Sequence, residues 1–266
     1  MHGTPLSDPE FASFQRLLRE QAGISLAPSK KALVAGRLSK RLRHHGLSSF
    51  AEYYRLVGQR EDERQMAVDL LTTNETYFFR EPRHFDFLRE RVLPRHPRER
   101  SLRIWSAACS SGEEPYSIAM LLAEQLSGRA WEILASDIST RMLDRARQGV
   151  YALDGLRGLP TEALRKHCLR GTGTQEGYFA VDPALRQRVG FAQINLNGPL
   201  PDVGEFDVIF LRNVLIYFDP ETKRQVVARL QSRLRRGGHL FIGHSESLNG
   251  LVSGLQMVMP AVYRAE

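Results

Sequence analysis

The sequence predicts an α/β protein with a doubly wound, mainly parallel sheet, a small all-helical N-terminal domain and an inserted antiparallel β-subdomain. Two patterns carry this prediction. Roughly the first seventy residues place apolar side chains at helical spacing without strand alternation, and from residue 102 onward short apolar strands alternate with amphipathic helices. Such alternation is typical of parallel βαβ units. We expect a helical domain at residues 1–80 and a helix with a linker at residues 81–98. A sheet domain is expected at residues 99–266, with the insert at about residues 151–188.

The composition is that of an ordinary globular protein. The chain has 266 residues, of which 42% are hydrophobic and 25% charged, and it contains no run of about 18 apolar residues. The N-terminus lacks the pattern of a signal peptide, so we expect a cytoplasmic protein that does not insert into membranes. Cys109 and Cys168 are expected to be free thiols, and no spacing of Cys or His indicates a metal site.

The basic charge is concentrated in one segment. The net charge is +7, and no Asp or Glu occurs between Gln21 and Ala51. That segment carries Lys30, Lys31, Arg37, Lys40, Arg41 and Arg43. A basic surface of this kind fits nucleic acid, an anionic membrane surface or an acidic protein, and a merely solvated helix face is the alternative.

Local signals define the helices of the N-terminal domain. The expected N-caps are Asp8, Ser29 and Ser49. Glu52 completes a capping box with Ser49 in the third helix, and Gly23 and Gly46 are expected to end the first two. A fourth helix is expected from Asp62 to Leu71.

The sheet domain is predicted from its apolar runs. Strands are expected at residues 102–107, 131–136, 189–194, 206–211 and 239–243. A turn at Arg236–Gly238 precedes the last of these, and a hairpin at residues 256–263 is expected to extend the edge. Glycines in the insert, within RGTGTQEG, favour tight turns between short antiparallel strands.

A strand–loop–helix at Leu102–Pro115, with the sequence LRIWSAACSSGEEP, predicts a nucleotide-binding site. Its single glycine does not fit a dinucleotide fingerprint or a phosphate-binding loop. Glu113 and Glu114 stand where a phosphate would lie, which favours a cationic ligand without phosphate. Asp137 ends the second strand, 25 residues after Gly112, where doubly wound folds place an acid on ribose hydroxyls.

Several longer motifs carry a family resemblance. They are TTNETYFFRE, SAACSSGEEPYSIAM, ASDIS, RGTGTQEG, QINL, IFLRNVLIYF and GHSESL. In this order, from Thr72 to Leu248, they resemble the chemotaxis receptor methyltransferase family, CheR. The resemblance implies a class I S-adenosylmethionine-dependent fold and a protein-glutamate O-methyltransferase that yields S-adenosyl-L-homocysteine. The implied substrates are glutamates on acidic cytoplasmic helices of chemotaxis receptors, methylated in sensory adaptation by a monomeric enzyme.

The resemblance also assigns residues. The cofactor contacts it implies are Asn74, Thr76, Arg80, Glu114, Asp137, Asn195, Leu196, Arg212 and Asn213. Arg80 and Tyr217 are the implied catalytic residues. Because a glutamate is already ionised at neutral pH, the reaction needs alignment rather than a strong base. The alternatives are that Asp137 only caps the helix starting near Ser139, that Arg80 pairs with Glu81, and that Tyr217 belongs to the core.

Two further surfaces are expected to contact the receptor. The basic helix would bind acidic receptor helices through Lys30, Arg37, Lys40 and Arg41. The insert would add a receptor C-terminal peptide as a strand near Arg170, Gly171, Gly173 and Gly177, and a purely structural hairpin is the alternative. A nucleic-acid methyltransferase or a basic nucleic-acid-binding protein is the competing prediction. The fourth strand ends in RNVLIYF, without the Pro-Pro-Tyr type of signature used in base methylation.

Overall fold

The computed structural model describes residues 4–154 and 156–266. Its N-terminal helices are α1 (Asp8–Ala22), α2 (Lys31–His44), α3 (Phe50–Gln59) and α4 (Glu61–Leu71). The Ser49–Glu52 capping box of α3 is confirmed, and Gly23 ends α1 in a left-handed conformation. Ser7, not Asp8, is the N-cap of α1, because its side chain accepts from the Glu10 backbone N–H. Ser29 lies inside a 3-10 turn, Pro28–Lys30, so α2 starts without a side-chain cap.

The helical domain has its own apolar core. Phe14 of α1 is fully buried and packs with its ring against Phe50, Tyr53 and Tyr54 of α3. Val34, Leu38 and Leu42 on one stripe of α2 complete this core. The apolar spacing read from the sequence therefore places the same side chains inside.

The connecting segment is packed onto the sheet domain. It contains α5 (Pro82–Phe87), which continues through a π-helical turn at Leu88–Val92 and a 3-10 turn at Leu93–Arg95. Phe85, Leu88 and Val92 belong to the same buried cluster as the strands of the sheet. The helix of this segment is therefore part of the sheet domain's core.

The strands are β1 (Leu102–Ala107), β2 (Trp131–Asp137), β3 (Val150–Ala152), β4 (Cys168–Arg170), β5 (Tyr178–Val181), β6 (Val189–Gln193), β7 (Phe206–Leu211), β8 (Leu234–Ile242), β9 (Leu255–Met259) and β10 (Val262–Ala265). The main sheet has the order β6-β2-β1-β7-β8-β10-β9. The first five strands of this order, from β6 through β2, β1 and β7 to β8, run parallel. Strand β10 is antiparallel to both of its neighbours, β8 and β9. This arrangement confirms the doubly wound, mainly parallel sheet with an edge hairpin.

The remaining helices are α6 (Glu113–Gln125), α7 (Thr140–Gln148), α8 (Thr161–His167), α9 (Pro183–Arg186) and α10 (Pro220–Gln231). Helices α6, α7 and α10 pack on the main sheet, as the βαβ pattern requires, whereas α8 packs on β4 and α9 on α6. Among helices of the described residues, none is long and apolar enough to cross a membrane.

Strand β8 is longer than the sequence predicts. The expected turn at Arg236–Gly238 lies within it, where the pairing with β7 shifts register between Phe206 and Val208. Gly237 has a φ of +76°, which a residue with a side chain adopts only at a cost. The glycines thus form an irregularity inside a paired strand and do not end it.

The insert is the predicted antiparallel β-subdomain. Its three strands have the order β3-β5-β4, so β4 is an open edge. The rings of Tyr151 and Phe179 pack against Phe78, which lies just before Arg80 in the chain. The insert therefore supports the segment that leads from the helical domain to the sheet.

Candidate active site

A cavity of about 390 Å³ lies where the carboxyl ends of the parallel strands face the helical domain. The structure brings together around it all the residues for which the sequence implies cofactor or catalytic roles. They are Asn74, Thr76, Arg80, Glu114, Asp137, Asn195, Leu196, Arg212, Asn213 and Tyr217. Lys30, at the start of the basic helix, also lines it. Chain segments separated by up to about 190 residues thus meet at one place.

The loop between β1 and α6 is held in an unusual conformation. Ala108, Ser110 and Gly112 all have positive φ angles, of 64°, 50° and 98°. A Cβ atom on Gly112 would lie 2.8 Å from the Cβ of Ala146, so helix α7 approaches too closely for any other residue. The Ser110 hydroxyl donates to the Asn74 carbonyl over 3.0 Å. The loop is therefore tied to the segment before Arg80.

Asp137 braces this loop from the end of β2. Its carboxylate accepts from the backbone N–H groups of Ser110, at 2.8 Å, and Ser139, at 2.9 Å. The N-cap of α7 is Ser139, whose hydroxyl accepts from the Met142 N–H, so Asp137 does not have the capping role considered as an alternative. Burial raises the pKa of Asp137, while its hydrogen bonds to backbone N–H groups oppose that rise.

A buried ion-pair network surrounds Arg212 at the end of β7. The guanidinium, whose side chain is 1% exposed, lies 2.9 Å from Glu114 Oε2 and 3.1 Å from Glu81 Oε2. It also donates to the Arg80 carbonyl. Burial raises the pKa of Glu114, and the positive charge of Arg212 opposes this. Glu113, by contrast, is outside the cavity lining and accepts from the Ser111 hydroxyl, so only one of the two loop carboxylates faces the cavity.

The sequence did not reveal three residues at this network, Glu81 within it and His84 and His244 next to Glu81. Glu81 accepts from Arg212 and Asn213, and its carboxylate and the rings of His84 and His244 place ligand atoms within 4.8 Å of one another. Such a cluster can hold a metal ion, which the sequence did not predict because His244 is remote in the chain. The motifs FFRE and GHSESL, which contain Glu81 and His244, were the available signals.

Glu246, in the same GHSESL motif, fixes the turn after β7. Its carboxylate accepts from the backbone N–H groups of Asn213, at 3.0 Å, and Gly243, at 2.6 Å. Asn213 itself has a φ of +57°, so this turn is held in the left-handed region by a side chain remote in sequence.

Arg80 and Tyr217 lie on the same cavity. Arg80 donates to the Glu75 carbonyl at 2.8 Å, and its guanidinium lies 5.7 Å from the centre of the Tyr77 ring. The alternative pairing of Arg80 with Glu81 is not what the described residues show, because Glu81 is taken by Arg212. Tyr217 is half-buried, and its carbonyl accepts from the Ser25 N–H at 2.8 Å. It therefore joins the sheet domain to the helical domain and is not part of the fully buried core.

Asn195 has a structural contact that the sequence did not reveal. Its Nδ2 donates to the Gln21 carbonyl at 2.6 Å and its Oδ1 accepts from the Asn197 N–H at 3.0 Å. Leu196 is buried and presents an apolar surface to the cavity, which Ile138 also lines.

The basic helix divides into free and engaged side chains. Lys30 and Lys40 are exposed. Arg37 instead donates to the carbonyls of Leu71, at 3.1 Å, and Thr72, at 2.9 Å. Arg41 is held at 2.6 Å by the buried carboxylate of Glu63. For Arg37 and Arg41 this differs from the substrate-binding role expected from the sequence, because their guanidinium groups hold α2 against α4.

The expected peptide-docking residues lie on the insert, away from the cavity. Arg170 is exposed at the end of the edge strand β4. A Cβ atom on Gly171 would lie 2.0 Å from the Gln175 carbonyl oxygen. Gly173 and Gly177 have φ angles of +57° and +86°, so the turn between β4 and β5 requires its glycines.

The cavity fits a nucleoside ligand that carries no phosphate. Asp137 can accept ribose hydroxyls, Leu196 and Ile138 offer apolar surface for a base, and Glu114 places a carboxylate at the start of α6 where a phosphate would be repelled. A doubly wound sheet with such a site defines an S-adenosylmethionine-dependent methyltransferase. Family models described as "CheR methyltransferase, SAM binding domain" and "CheR methyltransferase, all-alpha domain" match residues 74–263 and 9–72. The chain belongs to the CheR methyltransferase family, and its cofactor is S-adenosylmethionine.

Several chemotaxis protein methyltransferases are similar to this chain over most of its length. The chain is 47% identical to chemotaxis protein methyltransferase 2 of Pseudomonas aeruginosa, over 90% of this chain and 86% of that protein. It is 44% identical to the chemotaxis protein methyltransferase of Escherichia coli, over 92% and 87% of the two chains. The corresponding Salmonella typhimurium protein is 42% identical over 97% and 90%.

Proposed function

We propose that this enzyme methylates glutamate side chains on the cytoplasmic helices of chemotaxis receptors, producing glutamate methyl esters in sensory adaptation. The proposal includes action in the cytoplasm as a monomer. The observation that carries it is the meeting of Arg80, Tyr217 and Lys30 on the cavity that Asp137 and its neighbours form. A cationic rim around a cofactor cavity suits an anionic acceptor better than a neutral amine or hydroxyl.

Methyl transfer to a glutamate requires that the substrate carboxylate be aligned with the methyl donor. When bound, S-adenosylmethionine would supply a sulfonium methyl group, whose carbon a carboxylate oxygen would attack in line while the carbon–sulfur bond breaks and S-adenosyl-L-homocysteine leaves. The substrate carboxylate is already deprotonated at neutral pH, so no side chain of the enzyme has to remove a proton.

Arg80 is proposed to hold the reacting carboxylate. A guanidinium stays protonated and offers a planar fork of N–H donors, so it can orient a carboxylate without neutralising it. One Nη1 hydrogen of Arg80 is donated to the Glu75 carbonyl. The other N–H groups of the guanidinium have no carboxylate partner within the described chain. Tyr217 is proposed to close the other side of the reacting groups and to exclude water.

Arg212 and its two carboxylates are proposed to keep the cofactor side of the cavity rigid. The guanidinium links the end of β7, the start of α6 and the segment after Arg80 through Glu114 and Glu81. A charge satisfied in this way does not compete with Arg80 for the substrate. We therefore assign Arg212 a structural role and Arg80 the proposed catalytic one.

The receptor helix is proposed to lie along α2 and the cavity mouth. Lys30 and Lys40 are free to attract an acidic helix, and Ile216, which is 50% exposed beside Tyr217, offers an apolar contact. We assign Arg37 and Arg41 to the packing of α2. Exposed charges mainly raise the rate of association, so receptor binding should weaken with added salt.

The insert is proposed to tether receptors that carry a C-terminal peptide. Strand β4 is an open edge with exposed Leu169, and Arg170 at its end could receive a terminal carboxylate. Strand addition would use the free backbone groups of β4. Titration with receptor C-terminal peptides tests this, and the absence of saturable binding by all of them would leave the insert with a structural role only.

The function is tested by methyl transfer from radiolabelled S-adenosylmethionine to a receptor cytoplasmic fragment. We expect label that mild base releases as volatile methanol, because carboxylate methyl esters hydrolyse readily and methylated bases do not. Receptor fragments with glutamates changed to alanine serve as the control. Label on RNA or DNA, with unlabelled receptor glutamates, would contradict the proposal and favour the nucleic-acid alternative.

A further inference from the structure

A second cavity, which we call the rear cleft, lies at the opposite ends of the parallel strands from the active site. It has a volume of about 710 Å³ and is formed by α5 and the turns after it, the start of β7, the irregular part of β8 and the terminal hairpin. It is lined by Arg95, His96, Pro97 and Arg100 of the basic segment PRHPRER and by the Arg236–Gly238 sequence, which the methyltransferase function leaves unused.

The rear cleft concentrates unpaired positive charge. Seven arginines and three carboxylates line it. Asp207 is shared by Arg100, at 2.6 Å, and Arg235, at 2.8 Å, whereas Asp86 and Glu90 both pair with Arg89. Within the described chain the remaining five have no carboxylate within 4.0 Å, and these are Arg83, Arg91, Arg95, Arg236 and Arg264. Seven arginines against three carboxylates leave a net positive charge in one concavity.

The positive charge of the rear cleft also affects the pKa values of its two histidines. The pKa of His239 is lowered to about 4, mainly by burial and further by Arg264 and Arg95. Burial also lowers the pKa of His96. The charges of Arg100 and Arg129 lower this pKa further, whereas the carboxylate of Asp207 opposes the change. Nε2 of His96 is buried and lies 3.5 Å from Asp207 Oδ2, without a closer hydrogen-bond partner in the described structure. The arginines around these two rings thus add to burial in opposing protonation of the histidines.

The walls of the rear cleft are partly apolar. Phe87 stands beside the ring of His239, with ring centres 5.7 Å apart, and Val258 is 41% exposed next to Met259. Gly238 lets β8 pass close to β7, since a Cβ atom there would lie 2.9 Å from the Asp207 carbonyl oxygen. A cavity of this size with both cationic and apolar walls suits a small molecule better than a protein helix.

We propose that the rear cleft binds a small anion with two or more linked phosphate groups, of the class of nucleoside di- and triphosphates or inorganic polyphosphate. Arginine forks match phosphate oxygens in pairs, and five unpaired arginines call for more than one anionic group. The site is separate from the cofactor cavity, which places a carboxylate where phosphate would lie.

Calorimetric titration of the full chain tests the proposal. The chain is first saturated with S-adenosyl-L-homocysteine, so that adenine compounds cannot bind in the cofactor cavity, and is then titrated at low salt with ATP, GTP and inorganic triphosphate. Arg95→Gln and Arg236→Gln, made singly and together, remove two exposed cleft arginines. Arg98→Gln is the matched control, because Arg98 is exposed three residues away but does not line the cleft.

We expect saturable binding of the triphosphates that weakens with salt, a loss of about tenfold or more in each cleft variant, and no change in Arg98→Gln. Tighter binding of the nucleotides than of inorganic triphosphate would identify a nucleotide as the ligand, and equal binding would identify the phosphates alone. The proposal is overturned if no triphosphate binds saturably, if Arg98→Gln weakens binding as much as Arg95→Gln, or if RNA oligonucleotides bind more tightly with increasing length.

Discussion

Replacing Arg41 distinguishes a structural arginine from a receptor contact. Glu63 has a side chain that is only 3% exposed, and it accepts from Arg41 Nε at 2.8 Å and Nη2 at 2.6 Å. The Tyr53 hydroxyl donates to the same carboxylate at 2.7 Å, and His45 lies 3.0 Å from it. Arg41→Met keeps most of the side-chain volume but removes the charge, so a buried carboxylate keeps only its two weaker partners.

The expected loss of stability follows from this geometry. Breaking a buried ion pair by removing one partner costs about 3–5 kcal/mol. Because Tyr53 and His45 remain beside Glu63, we expect about 3 kcal/mol for Arg41→Met. Lys40→Met, at the exposed neighbouring position, should change the free energy of unfolding by less than about 0.5 kcal/mol. Urea unfolding followed by circular dichroism measures both.

The same carboxylate predicts a pH dependence. The pKa of Glu63 is lowered from 4.5 to about 2, because the hydrogen bonds from Arg41, Tyr53 and His45 outweigh the effect of burial. Its stabilising contribution is therefore complete above pH 4.5 and is lost as the pH falls towards 2. At 1.36 kcal/mol per unit, this contribution is about 3 kcal/mol. Arg41→Met should unfold with a shallower dependence on pH in that range.

An Arg41→Met enzyme with unchanged stability but a raised KM for the receptor would refute this reasoning. The guanidinium would then be a receptor contact, as the sequence pattern of α2 suggests. A parallel stability loss in Lys40→Met would also contradict it, because the effect would belong to the basic helix as a whole.

Three further predictions concern the site and the insert. Asp137→Ala should weaken binding of S-adenosyl-L-homocysteine about 10- to 100-fold in calorimetry, since a charged hydrogen bond contributes about 1.5–3 kcal/mol, and unchanged affinity would refute the assignment. Asp144→Ala, exposed on α7, is the control. Arg80→Ala should lower kcat/KM for receptor methylation by about 100-fold or more, and full activity would exclude it as the carboxylate-holding residue. Gly171→Ala should abolish peptide binding but spare methylation of receptor fragments lacking the peptide, because its Cβ atom would meet the Gln175 carbonyl.

The sequence predicted well the features that depend on neighbouring residues or on regular periodicity. The Ser49–Glu52 capping box and the apolar stripe of α2 involve residues a few positions apart, so the pattern contains the whole interaction. The alternation of strands and helices predicts parallel strands, whose carboxyl ends lie on the same side of the sheet. Asp137 and Arg212, at the ends of two such strands, are therefore expected to lie near each other. A shared cavity for these residues follows from topology.

Features that depend on distant partners were not predictable in this way. Arg41 has helical spacing with Arg37, but its partner Glu63 comes from another helix. Glu81 meets Asn213 across 132 positions of the chain, so no local pattern connects them. The Arg236–Gly238 segment has the composition of a turn, yet pairing with β7 keeps it within a strand. In each case tertiary contacts decide the outcome.

The most direct test of the account is to locate the transferred methyl group. Receptor cytoplasmic fragment is incubated with the enzyme and S-adenosylmethionine, digested, and analysed by mass spectrometry. We expect a gain of one methyl group on glutamate side chains of receptor helices, lost after mild base and absent with Arg80→Ala. Methyl groups found on lysine, on RNA or on no receptor glutamate would contradict it.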